Sequence, residues 1–566
     1  MFFYEKKKKS KKIYSYKKYD LKKTIKNRTY IVTIVFTAIY LGLICRLYYI
    51  QNYKDNTYAV MADKQYYYEE KISNINYKLL GRNNEDLFNY ENKYYIVVDP
   101  MTFINMNNNT DDNSIKTVMY ILRNYDKEYD LYQIPYMDKN KKYTYEVDKE
   151  TYEKIKNYTD VNGVYGYISK DALIDKNWKL ENIIASPKNY DDEEFKDKDS
   201  LEIKVYNMIK NNKFPKVIYE KNVDGKIISE KFIEPNENIN VKLTINKNAE
   251  TLIENILKDN LLKKYPQVGV CLVESSTGEI LSMCQKNDNI SNVNIGVPSS
   301  NGFLVGSVFK TIVLEGVLDR ESHSLKENLD IKHIFPKSNE HKSRYNLSEA
   351  YLYSSNDIFA QLGWDLGSDT MISYAEKQGL TSKVLGLSDE KCGTFDNIDD
   401  KENIGFITNT SIGQTLRTTP IALTSIPSVV VNDGIYIKPN IIKGYVDNEN
   451  NVIQNDEVEK KQVINEKTAN LLEKEMIKVI KSTDGTGRNA DVKGINMGGK
   501  TGTTEYFIKG KEYSDGWFAG FFQHKNKYYS LVVFIPEIDI KEDAGGRTSA
   551  LVFKKIVEEL TSKEIL

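Results

Sequence analysis

Residues 306–319, "GSVFKTIVLEGVLD", decide how this chain is read. Val308, Phe309, Ile312, Val313, Val317 and Leu318 are spaced for a helix that is apolar round much of its circumference, and so largely buried. Ser307 falls in its first turn with Lys310 three residues on, so both side chains project from one face. A lysine taken out of water loses solvation of its charged form, and a neutral amine can then take the proton of a serine hydroxyl. The helix N-terminus also directs backbone N–H groups toward negative charge that develops beside it. Such a serine needs no histidine, and His323, His333, His341 and His524 stand in no recognisable triad context.

The S-x-x-K pattern alone is cheap in a lysine-rich chain. It recurs at residues 15–18 ("SYKK") and 388–391 ("SDEK"), and a capping serine with a snorkelling lysine fits it equally well. Two further elements give it weight. "AYLYSSNDIFAQLG" holds Ser354 and Asn356, and "INMGGKTGTTEY" holds Lys500, Thr501, Gly502 and Thr503, at intervals of 47 and then 146 residues. A second "SSN" at residues 299–301 precedes Ser307 in a loop-like stretch and is set aside. The K-T-G element is the most specific, because a glycine inside a strand costs stability unless a ligand or another backbone must approach closely.

S-x-x-K, S-x-N and K-T-G in this order form the motif set of the penicillin-binding proteins and serine β-lactamases. The chain resembles a class B penicillin-binding protein, a membrane-anchored D,D-transpeptidase of peptidoglycan synthesis. "RLYYIQ", "VKLTINKNAE", "SIGQTLRTTPIAL" (Gly413, Gln414, Thr419, Pro420) and "DGWFAGF" (Trp517, Phe518, Gly520) resemble further family landmarks, in family order. The good match covers roughly residues 241–566, and the part before it matches loosely.

The resemblance implies that Ser307 attacks the carbonyl of the penultimate D-alanine of a stem peptide ending in D-Ala-D-Ala. An acyl-enzyme forms and the terminal D-alanine leaves. Lys310 is then the base, Ser354 relays a proton toward the leaving amine, and Asn356 holds the substrate amide. Lys500 supplies positive charge, Thr501 and Thr503 bind the substrate carboxylate, and Gly502 completes the K-T-G element. The backbone N–H groups of Ser307 and Thr503 form the oxyanion hole. β-Lactams acylate the same serine, no metal or organic cofactor is implied, and a partner glycosyltransferase that polymerises the glycan is expected.

Two departures stand out. Val305 replaces the proline usual before the Gly-Ser of the first motif, and the usual stalk landmarks are blurred in "LLGRNNEDLFNYENKYYIVVDP". The rival readings are a hydrolytic relative (β-lactamase, carboxypeptidase or β-lactam sensor) and a catalytically silent cell-wall scaffold. Against a class A β-lactamase, no convincing deacylating glutamate follows Ser354; against the scaffold, all three motifs are intact.

The remaining organisation follows from charge and hydropathy. The 566 residues exceed what one core usually supports, and 40% hydrophobic with 28% charged residues describes a globular protein. The net charge of −1 conceals a basic tail, residues 1–28, with twelve Lys/Arg against two acids. An uncharged run follows at residues 29–45, bounded by Arg28 and Arg46, so residues 29–50 are expected to form an uncleaved transmembrane anchor. The charge order predicts the tail in the cytoplasm and everything downstream outside. Contact with anionic lipid explains the tail better than nucleic acid, for which there is no motif.

Residues 51–240, rich in Lys, Asn, Asp and Tyr, are expected to form an extracytoplasmic stalk or pedestal of mixed structure. Residues 241–566 are expected to form an α+β transpeptidase domain, an antiparallel sheet with a helical lobe. Its first hairpin is "VGVCLVESSTGEILSMC", a second turns at "HKN", and "TSALVFKKIVEEL" is a closing amphipathic helix. Cys45, Cys271, Cys284 and Cys392 lack metal-ligand spacing. Cys271 and Cys284 fall on paired strands, which leaves a disulfide open; buried free thiols are the expectation.

Overall fold

In the computed structural model, which describes residues 21–50, 66–174, 177–189, 192–336, 342–455, 457–508, 511–539 and 547–566, one strand sits at the centre of the larger unit. Tyr529, Leu531, Val533 and Ile535 of Lys527–Ile535 pack into one core, while Val532 and Phe534 pack into another. That period of two marks a strand buried on both faces. It is β5 of an antiparallel sheet whose strands are β1 (Gly269–Glu274), β2 (Glu279–Gln285), β3 (Met497–Ile508), β4 (Lys511–His524) and β5, in the order β2-β1-β5-β4-β3.

The two expected hairpins are present. Lys525 and Asn526 turn β4 into β5 with φ of +47° and +63°, the left-handed pair that a two-residue turn between twisted strands requires. Cys271 lies opposite Met283 in the ladder, and Cys271 and Cys284 belong to different cores. Their side chains therefore leave the sheet on opposite faces, and both thiols are free and buried.

Helices of the larger unit include, in chain order, α1 (Lys247–Leu257), α2 (Lys310–Asp319), α3 (Leu347–Tyr353), α4 (Asn356–Leu366), α5 (Ser368–Lys377), α6 (Glu466–Lys481) and α7 (Arg547–Ser562). α1 and α7 cover one face, burying Leu252, Ile253 and Ile256 with Val552, Phe553 and Ile556. α2 to α6 form the helical lobe on the other. Local chemistry starts these helices: the side chains of Asn246 and Asn465 accept N–H bonds in the first turns of α1 and α6, and Asn346 with Glu349 closes a capping box on α3. Trp517 of β4, fully buried, donates from Nε1 to the Leu304 carbonyl at 2.9 Å, tying the sheet to the chain that enters α2.

The chain divides into two compact units. One gathers described residues up to position 70 with Tyr94–Tyr167 and Val217–Phe232; the other gathers Lys71–Lys93, Ile168–Lys216 and Ile233–Leu566. The larger unit thus takes in residues 71–93 and 168–216, which sequence texture had placed before the boundary at 240. The reason is burial: Leu79, Leu180, Ile183, Ile184 and Val205 join its core, and Leu79–Leu80 pairs in parallel with Val241–Lys242.

The smaller unit has its own core of Ile96, Val98, Val118, Leu122, Tyr145 and Val147, set on a sheet with strand Tyr90–Val98 at its centre. The N-terminal helix Leu21–Tyr49 contains a 25-residue stretch, Ile25–Tyr49, long and apolar enough to cross a membrane, with its residues exposed. Residues 1–20 of the basic tail, residues 190–191 of the charged patch, and His341 lie outside the described residues.

Trp517→Phe deletes the indole N–H and part of the ring volume, leaving the buried Leu304 carbonyl unpaired and a small cavity beside it. We expect a loss of at least about 1–2 kcal/mol in unfolding free energy, read by thermal or denaturant unfolding.

Candidate active site

Ser307 lies in a 3₁₀ turn, Gly306–Phe309, and Lys310 opens α2 directly after it. Ser307 therefore stands just ahead of the α-helix rather than inside its first turn. The turn is tight because backbone crowds it from two sides. Gly306, at φ +55°, donates its N–H to the Gly413 carbonyl at 2.9 Å, and a Cβ on it would lie 2.5 Å from the Thr503 carbonyl oxygen. Val305, fully buried, donates its N–H to the Leu416 carbonyl at 3.2 Å. A proline has no N–H to give, so the unusual valine adds a bond that the usual residue could not make.

α3 and α4 are separated by two serines with different tasks. Ser354 ends α3 in the left-handed conformation, φ +59° and ψ 41°, while Ser355 caps α4 by accepting from the Ile358 N–H. A non-glycine residue in that region is strained by roughly 1–2 kcal/mol. The kink presents Ser354 Oγ to two amines at once. Lys310 Nζ donates to it at 3.1 Å, to the Ser354 carbonyl at 2.6 Å and to Asn356 Oδ1 at 2.6 Å. Lys500 Nζ donates to the same hydroxyl at 3.0 Å.

Both lysines are fully buried. The Phe359 ring lies 5.6 Å from Lys310 Nζ and the Tyr351 ring 5.8 Å from Lys500 Nζ, close enough for cation–π attraction. Burial pushes the Lys500 amine down to about 7, so near neutral pH it is divided between its charged and neutral forms.

Lys500 belongs to β3, where Lys500, Thr501, Gly502 and Thr503 pair with Ala519, Phe518, Trp517 and Gly516. A Cβ at Gly502 would stand 2.7 Å from the Val305 carbonyl oxygen and 2.9 Å from Val308 Cγ2. The glycine thus lets strand and turn meet, the close approach anticipated from its rarity in strands. Thr501 is buried and Thr503 half-buried.

The structure thus joins Lys310, Ser354, Asn356 and Lys500 through hydrogen bonds, sets Ser307 one turn ahead of Lys310, and lays Thr501 to Thr503 against that turn. The "SSN" at residues 299–301 lies in a loop held by Ser299, as expected. His323 is engaged by Glu327 and Asp365. Among the described residues no group of three His, Cys, Asp or Glu side chains is placed to hold a metal. Sequence reasoning missed Tyr351 and Phe359; Tyr351 sits three residues before Ser354, a spacing that puts a side chain on the helix face beneath it.

Comparison with known proteins gives the family. Residues 268–558 match the penicillin-binding protein transpeptidase domain, so the chain belongs to that family. It is 28% identical over 337 residues to stage V sporulation protein D of Bacillus subtilis, covering 54% of this chain and 49% of that one. It is 25% identical over 384 residues to the penicillin-binding protein PbpB of Mycobacterium tuberculosis, covering 62% and 56%. The chain thus spans about half the length of the relatives it matches. Its fold is similar to that of a peptidoglycan synthetase from Bifidobacterium adolescentis, with a TM-score of 0.60 at 17% identity over 88% of this chain and 96% of that one.

Gly502→Ala should force β3 and the Ser307 turn apart. The expected result is at least a ~10-fold drop in the rate of covalent capture by a serine-directed acylating agent, with far-ultraviolet circular dichroism unchanged; a 1 Å misplacement costs on that scale or more.

Proposed function

We propose that the protein is a serine D,D-transpeptidase that cross-links peptidoglycan stem peptides and is acylated by β-lactams. The observation that carries this reading is Ser354 Oγ held between Lys310 Nζ and Lys500 Nζ beside the Ser307 turn. In the first step Ser307 Oγ forms a bond to the carbonyl carbon of the penultimate D-alanine, and its proton goes to the neutral Lys310 amine. Negative charge develops on the carbonyl oxygen, facing the backbone N–H groups of Ser307 and Thr503.

The C–N bond to the terminal D-alanine then breaks, and the leaving amine takes a proton through Ser354 from Lys310. An amine of a neighbouring stem peptide next attacks the acyl-enzyme carbonyl, restoring the Ser307 hydroxyl and closing the cross-link. Asn356 orients the substrate amide, and Thr501 and Thr503 bind its terminal carboxylate. Lys500, near its midpoint at neutral pH, holds a proton more readily once that carboxylate arrives, because an opposite charge favours the ammonium. Ser354, touching both amines, is the path by which Lys310 becomes the neutral base.

The apolar N-terminal helix supports a single-pass membrane anchor, with the basic tail cytoplasmic and the rest outside. Of residues 51–240, expected to supply the stalk, stretches 71–93 and 168–216 belong to the larger unit that carries Ser307. A glycan-polymerising glycosyltransferase is the partner that this chemistry calls for.

Ser307→Ala should abolish covalent labelling of the full chain by a fluorescent penicillin while its circular dichroism spectrum stays native; labelling that persists removes Ser307 as the nucleophile. Lys310→Ala should slow labelling by about 10²–10⁴-fold. If the charge on Lys500 serves binding of the carboxylate, the second-order acylation rate should fall as pH rises through about 7, and Lys500→Met should remove that descending limb. A rate that climbs through the same window in the wild type would contradict the assignment.

A further inference from the structure

Glu315 lies in the interior of α2, and neither it nor its partner Gln378, at the C-terminal end of α5, is accessible to solvent. Gln378 Nε2 donates to Glu315 Oε2 at 2.5 Å. Among the described residues the other two oxygens of the pair, Glu315 Oε1 and Gln378 Oε1, are both buried and without a hydrogen-bond partner. A carboxylate would leave two acceptors orphaned on one bonded pair, a costly arrangement away from water. One proton removes both faults, since a carboxylic acid and a primary amide present one donor and one acceptor to each other.

We propose that Glu315 is held as a neutral carboxylic acid, sharing its proton from Oε1 with Gln378 Oε1, and that this acid–amide pair positions the helix that carries Lys310. The groups that face it support this. Asp319 on α2, Tyr351 on α3 and Tyr374 on α5 are its titratable neighbours; Tyr374 donates to Asp319 Oδ2 at 2.8 Å and Tyr351 shares a hydrogen bond with Thr311 at 2.9 Å. Among the described residues no cation pairs with Glu315, and the neighbouring Asp319 opposes its ionisation. Burial accordingly pushes the Glu315 carboxyl up to about 8. Glu315 touches no reacting atom. It clamps α2 to α5 five residues beyond Lys310, and an ionised carboxylate there would put an uncompensated charge behind Thr311 and Tyr351.

The sign of the pH dependence follows from the raised value. Between the ordinary 4.5 and about 8 the folded chain keeps a proton that the unfolded chain has lost, so the contribution of Glu315 to stability declines as pH rises across that window and is level above it. Glu315→Gln replaces the acid with an amide that makes the same two hydrogen bonds and has no proton to lose. The positioning role rests on the reading of Ser307 and Lys310 given above; the protonation state does not, and neither readout below involves catalysis.

The test compares the full chain in detergent, wild type and Glu315→Gln, by thermal unfolding from about pH 5 to about pH 9. The expected result is a midpoint difference in favour of the variant that widens by several degrees between those limits; a constant difference means a carboxylate at every pH and overturns the proposal. An infrared difference spectrum at neutral pH should show a protonated carboxylic acid carbonyl band in the wild type that the variant lacks; no such band also overturns it. If that variant does not fold, Glu315→Met takes its place in both comparisons, since the buried carboxyl of Glu250, pushed up to about 7, gives the wild type an acid band of its own.

Discussion

Two amines buried on one hydroxyl set the terms for the rest of the larger unit. Taking an ammonium out of water costs several kcal/mol even after relaxation, and a second one a few ångströms away adds repulsion. The site meets this by giving Lys310 two strong acceptors besides Ser354 Oγ, and by letting Lys500 drift toward neutrality. On the proposed reading, one proton moving through Ser354 would convert either lysine into base or acid without exposing the site to water. That requires Ser354 in a strained conformation that two helices hold in place, and an almost wholly buried α2 behind Lys310.

Packing of backbone against backbone supplies the second constraint. Gly306, Gly413 and Gly502 bring three chain segments to one point, so the turn that carries Ser307 is pressed between β3 and the loop that contains Gly413. Val305 and Trp517 tie the same turn to the strand Leu416–Thr418 and to the sheet through single hydrogen bonds. The proposed nucleophile is therefore placed by the fold core, which would let a serine act without a histidine to orient it.

Much of this was legible before any coordinates. Spacing of three in S-x-x-K fixes a shared face wherever a helical turn forms, β-rich runs on either side of a turn mark the hairpins β1–β2 and β4–β5, and a glycine after Lys-Thr in a strand announces a close approach. What escaped the sequence depends on contacts distant along the chain. Nothing near Val305 indicates that its N–H will meet Leu416, and no local pattern couples Glu315 to Gln378, 63 residues away. The recruitment of residues 71–93 and 168–216 into the larger unit was hidden for the same reason. Their polar texture resembles that of the smaller unit, and only the few apolar residues they bury, such as Leu79 and Ile183, assign them. The expectation that Ser307 begins the α-helix failed by one turn, because crowding by β3 and Gly413 tightens the entry into a 3₁₀ turn.

The residue on which an acyl group lands identifies the nucleophile most directly. The full chain, exposed briefly to a penicillin, digested with trypsin and mapped by mass spectrometry, should carry the adduct on the peptide of residues 287–310, at Ser307, and should keep it for hours. An adduct on another residue, or none on a folded chain, would contradict the assignment of Ser307 as the nucleophile on which the whole reading rests.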